Sequence, residues 1–221
     1  MAEEDLLATD LYLYPRMAGT VTGVNEEFVV SPRLDDLQCV FGCLKGFLLA
    51  EESESVPVLA VFNNEEVGSG TRQGADSTFL SDVLHRINTA MGRSEEAYLT
   101  AVANSFLVSA DNAHALHPNY PGKHDPTNHP VMGGGPVIKI NANQKYVTDG
   151  DSAAVFAEIC RRAGVPFQYF VNRSDMVGGG TLGNTLTTQL PMRGVDMGNP
   201  MWGMHSIRET SALIDTFYTI K

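Results

Sequence analysis

Cysteine is scarce and odd in number: Cys39, Cys43 and Cys160 are the three in 221 residues. Cys39 and Cys43 lie four apart inside a helical pattern, which reads as buried thiols in a reducing compartment rather than as a metal or redox pair. Positive charge is also in deficit, with 15 Lys and Arg against 26 Asp and Glu and a formal net charge of −11. No basic patch is visible, so a phosphate backbone is disfavoured as a partner. Long apolar runs are missing, and no stretch approaches the roughly 18 to 20 residues of a membrane span. The opening MAEEDLLATD lacks the basic start and apolar core of a signal peptide. Together these absences predict a soluble, cytoplasmic protein with neither nucleic-acid nor membrane partners.

What is present is an apolar content of 43%, enough at this length for one sizeable core or two small ones. PVLAVF (57–62), SFLVSA (105–110), PVIKI (136–140) and PFQYFV (166–171) read as strands. The first two are continuously apolar, as strands covered by helices on both faces tend to be. Helical spacing recurs from Asp36 to about Ala50, from about Ser77 to Ala90, and from Ser152 to Ala163 with Asp151 as N-cap and Gly164 beyond. A last helix is predicted from about Ile207 to the C-terminus, with Ile207, Ser211, Ile214, Phe217 and Tyr218 on one face. Residues 10–36 alternate polar and apolar around Pro15, Gly19, Gly23 and Pro32, which predicts strands and turns before the first helix. Strands alternating with helices argue for a layered α/β domain.

At 65–66 an apolar run ends in two adjacent carboxylates, Glu65 and Glu66, followed by a glycine-rich turn at Gly68 and Gly70. The pair is either a solvated strand end or chemistry. If the strand continued, the two side chains would point to opposite faces, so both could not be solvated. Ligands collect at the carboxyl ends of strands in open α/β sheets. Asp35 and Asp36 open a helix, where an acid also caps; Asp111 follows a strand directly; His205 precedes the last helical pattern. Acids and a histidine at element edges are the residue types of a zinc-dependent hydrolase. Two motifs carry little: GGGTLG (178–183) follows a polar turn rather than a strand, and Ser109 beside His114 has no nucleophile-elbow frame.

SPRLDDLQ, FNNEEVGSGTRQGA, SADNAHALHPNYPGKHDPTNHP, GGGPVIKINANQKY, SDMVGGGTLGN and MGNPMWGMHSIRET together resemble, in order and spacing, the blocks of the aspartyl aminopeptidase family of zinc metallopeptidases. The resemblance implies a three-layer α/β/α sandwich of the zinc-exopeptidase type. It also implies a two-zinc enzyme that removes an N-terminal, often acidic, residue from a peptide and assembles as a dodecameric shell. Carried onto this chain, Asp35 matches the acid that bridges the metals, Glu65 the general base that activates water, and Glu66 a terminal zinc ligand. Asp111 matches a ligand of the other zinc and His205 the ligand completing the first. Lys139 and Tyr146 match positions near substrate, where a cation suits an acidic side chain. His114, His117, His124 and His129 match no ligand and read as loop or interface residues.

The chain departs from the pattern in two ways. Asp36 stands where the family usually has Asn. The His-x-Asp motif that supplies the second zinc's histidine is absent, since none of the six histidines is followed two residues later by aspartate. Residues 1–221 therefore resemble a single catalytic domain in its C-terminal portion, lacking the N-terminal strands and the inserted dimerisation domain. One zinc site is expected to form well from Asp35, Glu66 and His205, which leaves one position open, while the second retains only Asp35 and Asp111. Cobalt or manganese suits the same ligands. The expected function is zinc-dependent aminopeptidase, its partners a peptide substrate and either further copies of the chain or a complementing N-terminal fragment. The alternatives are a degenerate homologue that oligomerises or binds peptides without turnover, and a minimal one-zinc hydrolase.

Overall fold

The computed structural model describes residues 2–221. As the alternation predicts, an antiparallel ribbon of β1 (Thr20–Thr22) and β2 (Phe28–Ser31) leads into helix α1 (Leu34–Leu49). Then follow α2 (Phe79–Ala90), α3 (Glu95–Asn104), β3 (Phe106–Ala110), β4 (Ala113–His114), β5 (Val137–Ile140), α4 (Gly150–Ala163) and β6 (Gln168–Val171). The chain closes with α5 (Leu182–Gln189), β7 (Arg193–Gly198), β8 (Pro200–Trp202), β9 (Glu209–Ala212) and α6 (Leu213–Ile220).

The strands divide into two sheets, ordered β3-β7-β5-β6 and β1-β2-β9-β8-β4. In the first, β3 runs parallel to β7 and β5 parallel to β6, while β5 and β7 are antiparallel. Alternation along its strands sends Ile138, Val195 and Met197 to a core with Phe156 and Cys160 of α4. On the other face, Leu107 meets Leu186 and Leu190 at α5 and Val102 of α3. Helices thus cover both faces, the layered arrangement expected. In the second sheet α1 and α6 pack together and against β9.

The sheets share two runs of chain. β3 and β7 pair as far as Ala110 and Met197, the strands break, and β4 and β8 resume the pairing in the other sheet. Across the break Asp111 N donates to Met197 O and Ala113 N to Asn199 O, each at 2.9 Å. Gly198 allows this approach, because a Cβ there would lie 1.8 Å from the Asp111 carbonyl oxygen. Asp111 is therefore placed where one sheet hands over to the other.

Several expectations are corrected. Residues 57–62 form no strand: among the described residues no strand hydrogen-bonds to them, and Val58 and Val61 are more than half exposed. Apolarity alone does not make a strand where the ladder has no partner. The last helix starts at Leu213, because Glu209–Ala212 pairs with both β2 and β8; Ile207 is exposed ahead of it, and Ser211 lies in the strand rather than on a helix face. The N-cap of α4 is Asp149, which accepts from Ser152 N at 2.8 Å while Ser152 Oγ accepts from Asp149 N at 2.9 Å. Asp151 instead pairs with Arg193 at the surface.

Candidate metal centre

Three turns bring the ligand candidates together, and each holds a non-glycine residue in the left-handed region: Arg33 at φ 58°, Asn64 at φ 60° and His205 at φ 65°. Arg33 precedes Asp35 by two residues, and Asp35 itself is not helical (φ −84°, ψ 108°), so its carboxylate leaves the axis of α1. Asn64 ends the apolar run and starts a single 3₁₀ turn, Glu65–Val67, closed by Gly68 at φ 95°. Glu65 and Glu66 therefore stand on a turn rather than on a continuing strand, which corrects the opposite-faces expectation; Gly68 bears out the need for a sharp turn. His205 follows β8.

His205 Nε2 lies 3.1 Å from Asp35 Oδ2 and 2.8 Å from Glu66 Oε2. The Asp35 side chain is buried, whereas those of Glu66 and His205 are half exposed and more, so the group opens on one side only. Asp35 Oδ1 is buried with no hydrogen-bond partner among the described residues. The three residues offer two oxygens and a nitrogen within 4.8 Å of one another. Burial, and then Asp111, Glu66 and Asp36, push the Asp35 carboxyl up to about 9. A bare acid so placed holds its proton at neutral pH, and a divalent cation relieves both the orphaned oxygen and the crowding of carboxylates. The donor set fits such a cation.

A second group, Asp35, Asp36 and Asp111, shares the first acid and meets the same distance limit. Asp36 was not expected among ligands. Its Oδ1 accepts from Asn112 N at 3.0 Å, and burial followed by Asp111 pushes its carboxyl well above the usual range. Asp111 Oδ2 is 3.1 Å from Lys139 Nζ, which also donates to Asn112 O at 2.8 Å. Burial alone would lower the Lys139 ammonium, but Asp111, Tyr146 and Asp196 outweigh it and hold it above its ordinary value. No histidine joins the second group among the described residues.

Asp35, Glu66, Asp111, Lys139 and His205 border a cleft of about 1000 Å³ that also takes in Glu65, Tyr146 and the glycine run 178–180. Glu65 is pushed up to about 7, by burial first and then by Asp111 and Glu66. His114, His117 and His124 lie on the wall, so three of the four loop histidines face the cleft; burial lowers His114 and His124. Lys139 and Tyr146 reach the cleft but are almost wholly buried, and the ammonium sits 5.7 Å from the centre of the Tyr146 ring.

Two further buried acids escaped the sequence reading. Asp196 accepts from Val147 N at 2.6 Å and Thr181 Oγ1 at 2.7 Å, tying the loop after Tyr146 to the glycine run. Its place in a stretch that mixes glycine and charge, RGVDMG, gave no signal. Glu209, 2% exposed, accepts from Asp35 N and His205 N. Its place in a polar stretch, IRETS, gave no signal.

The family model described as aminopeptidase I zinc metalloprotease (M18) matches residues 1–221. The chain is 49% identical over 218 residues to a probable M18 family aminopeptidase 2 of Clostridium acetobutylicum, covering 99% of this chain and 50% of that protein. It is 41% identical over 231 residues to aspartyl aminopeptidase 4 of Saccharomyces cerevisiae, covering 99% and 47% respectively. Its fold superposes on the mApe1 dodecamer of S. cerevisiae with a TM-score of 0.82 at 31% identity, over 94% of this chain and 47% of that one. The chain thus spans about half the length of the curated relatives it matches. With a family match along its whole length and ligand-type side chains gathered in one cleft, the chain belongs to the M18 aminopeptidase family.

Proposed function

We propose that this chain supplies the metal-binding and proton-transfer half of a zinc-dependent aminopeptidase that removes N-terminal acidic residues from peptides. The observation that carries the proposal is the Asp35, Glu66 and His205 group, with its orphaned Asp35 oxygen, set beside Glu65. Asp35, Glu66 and His205 would hold one divalent cation, zinc by preference, with cobalt or manganese suited to the same donors. A cation there supplies Lewis acidity to water and to a substrate carbonyl.

The remaining work falls to the chain's own groups. Glu65, at about 7, is poised to take a proton from attacking water and return it to the leaving amine. Lys139 spends two of its three N–H donors on Asp111 and Asn112, which leaves one for an acidic side chain in the cleft it lines. Asp196 holds Thr181, on the cleft wall after the glycine run, to the loop at Val147. Exposed Leu37, Phe41 and Leu48 on α1 support action within an assembly, whether of like chains or with a complementing fragment.

The test is metal stoichiometry by elemental analysis after chelator stripping and zinc reloading, with Glu66→Ala alongside. One tightly bound zinc, lost in the variant, supports the proposal. It then calls for assays on acidic aminoacyl substrates, with and without a polypeptide carrying the relatives' N-terminal half. No zinc in the wild type would overturn it.

A further inference from the structure

Glu209 joins two ligand-bearing turns that come from distant parts of the chain. The first residue of β9, it pairs with Ser31 of β2, two residues before Arg33, while its neighbour Thr210 pairs with Trp202 of β8, three residues before His205. Its carboxylate sits between the turns, with Oε2 accepting from Asp35 N at 2.9 Å and Oε1 from His205 N at 2.6 Å. The side chain is 2% exposed, so water cannot replace it. Neither turn satisfies those two amides by its own backbone, because left-handed geometry at Arg33 and His205 takes both out of regular hydrogen bonding.

We propose that Glu209 is a positioning residue: by holding both amides on one rigid carboxylate it fixes the separation of Asp35 and His205 and so preforms the metal site. It touches neither metal nor substrate. A side chain in this place must accept at both oxygens. Glutamine accepts at one and turns an NH₂ against the other N–H, while aspartate keeps both acceptors but falls one methylene short. The inference rests on the metal site proposed above. Partners that orient metal ligands are worth about 10- to 100-fold in metal affinity.

A control with the same chemistry lies elsewhere in the chain. Asp215, wholly buried at the start of α6, likewise accepts from two backbone amides, Gly133 N at 2.7 Å and Gly135 N at 2.9 Å, and neither belongs to the ligand turns. Zinc affinity of the 221-residue chain is measured by competition with a chromophoric chelator for wild type, Glu209→Gln and Asp215→Asn, each confirmed folded by circular dichroism. Visible spectra of the cobalt-loaded forms serve as a second readout. Glu209→Gln is expected to bind zinc about 10- to 100-fold more weakly with an altered cobalt spectrum, and Asp215→Asn to match wild type in both. If Glu209→Gln does not fold, Glu209→Asp decides, with a smaller loss of affinity and the same spectral change expected. Wild-type affinity and spectrum in the folded Glu209 variant would overturn the positioning role, as would an equal loss in Asp215→Asn. Failure of wild type itself to bind zinc would overturn the metal site and the positioning role together.

Discussion

Replacing Lys139 with methionine isolates the buried charge pair beneath the cleft. Met fills most of the volume of the lysine stem, so little cavity results and the lost interactions are polar. The Lys139 ammonium lies 3.1 Å from Asp111 Oδ2 and 2.8 Å from Asn112 O, with both side chains largely shielded from water. Stranding a buried carboxylate costs about 3–5 kcal/mol, and a carbonyl left without its donor costs on the order of 1 kcal/mol more. These overlap, so a loss of about 4 kcal/mol is expected, a large part of the roughly 5–15 kcal/mol that holds a domain together. Urea denaturation in excess chelator measures it without a cation to neutralise Asp111. Lys139→Met with Asp111→Asn removes the stranded charge and is expected to lose less than Lys139→Met alone. A single variant within about 1 kcal/mol of wild type, or a double variant that loses the sum of both singles, would refute the buried-pair account.

Two other outcomes follow from perturbed carboxyls. Glu65→Gln should retain zinc yet lose activity by about 10²- to 10⁴-fold in any assembled, active form, and the wild-type rate should rise with pH as Glu65 ionises; an unchanged rate in the variant would remove Glu65 from proton transfer. Asp215 is raised from 3.8 to about 6, chiefly by burial, so the folded state holds its proton more tightly than the unfolded chain. Its contribution is complete below pH 4 and is lost as pH rises through about 6, on the order of 3 kcal/mol for two pKa units. The stability gap between wild type and Asp215→Asn should narrow over that window in urea titrations, and a gap constant with pH would contradict it.

The candidate residues were legible because their types sit in short motifs at element edges, and the fold brings Asp35, Glu66 and His205 into one group and Asp35 and Asp111 into another. Their geometry was not. Asn visits the left-handed region more readily than other non-glycine residues, but nothing in FNNEE fixes Asn64 there, and that one dihedral turns a presumed strand end into a 3₁₀ turn carrying both acids to the cleft. β7 and β8 were hidden because RGVDMGNPMW mixes glycine, proline and charge; pairing with β3, β5 and β4 outweighs its poor strand propensity. β9 was concealed by apolar residues at helical spacing, and only its neighbours β2 and β8 make it a strand. Glu209 and Asp196 bind through backbone amides brought in from afar, a relation that no pattern along the chain displays.

The left-handed turns at Arg33, Asn64 and His205 bear on how such a protein can be improved. A non-glycine residue in that region costs on the order of 1 kcal/mol, and less for Asn64 than for Arg33 or His205. Glycine at Arg33 or Asn64 would relieve that strain, yet it would also release the flanking acids from the one orientation that serves the site. Selection for heat resistance alone would favour the relaxed turns, whereas selection for metal capture would keep the strained ones. Stability and function are set against each other at these two positions, and thermostable variants of this chain should be sought away from them.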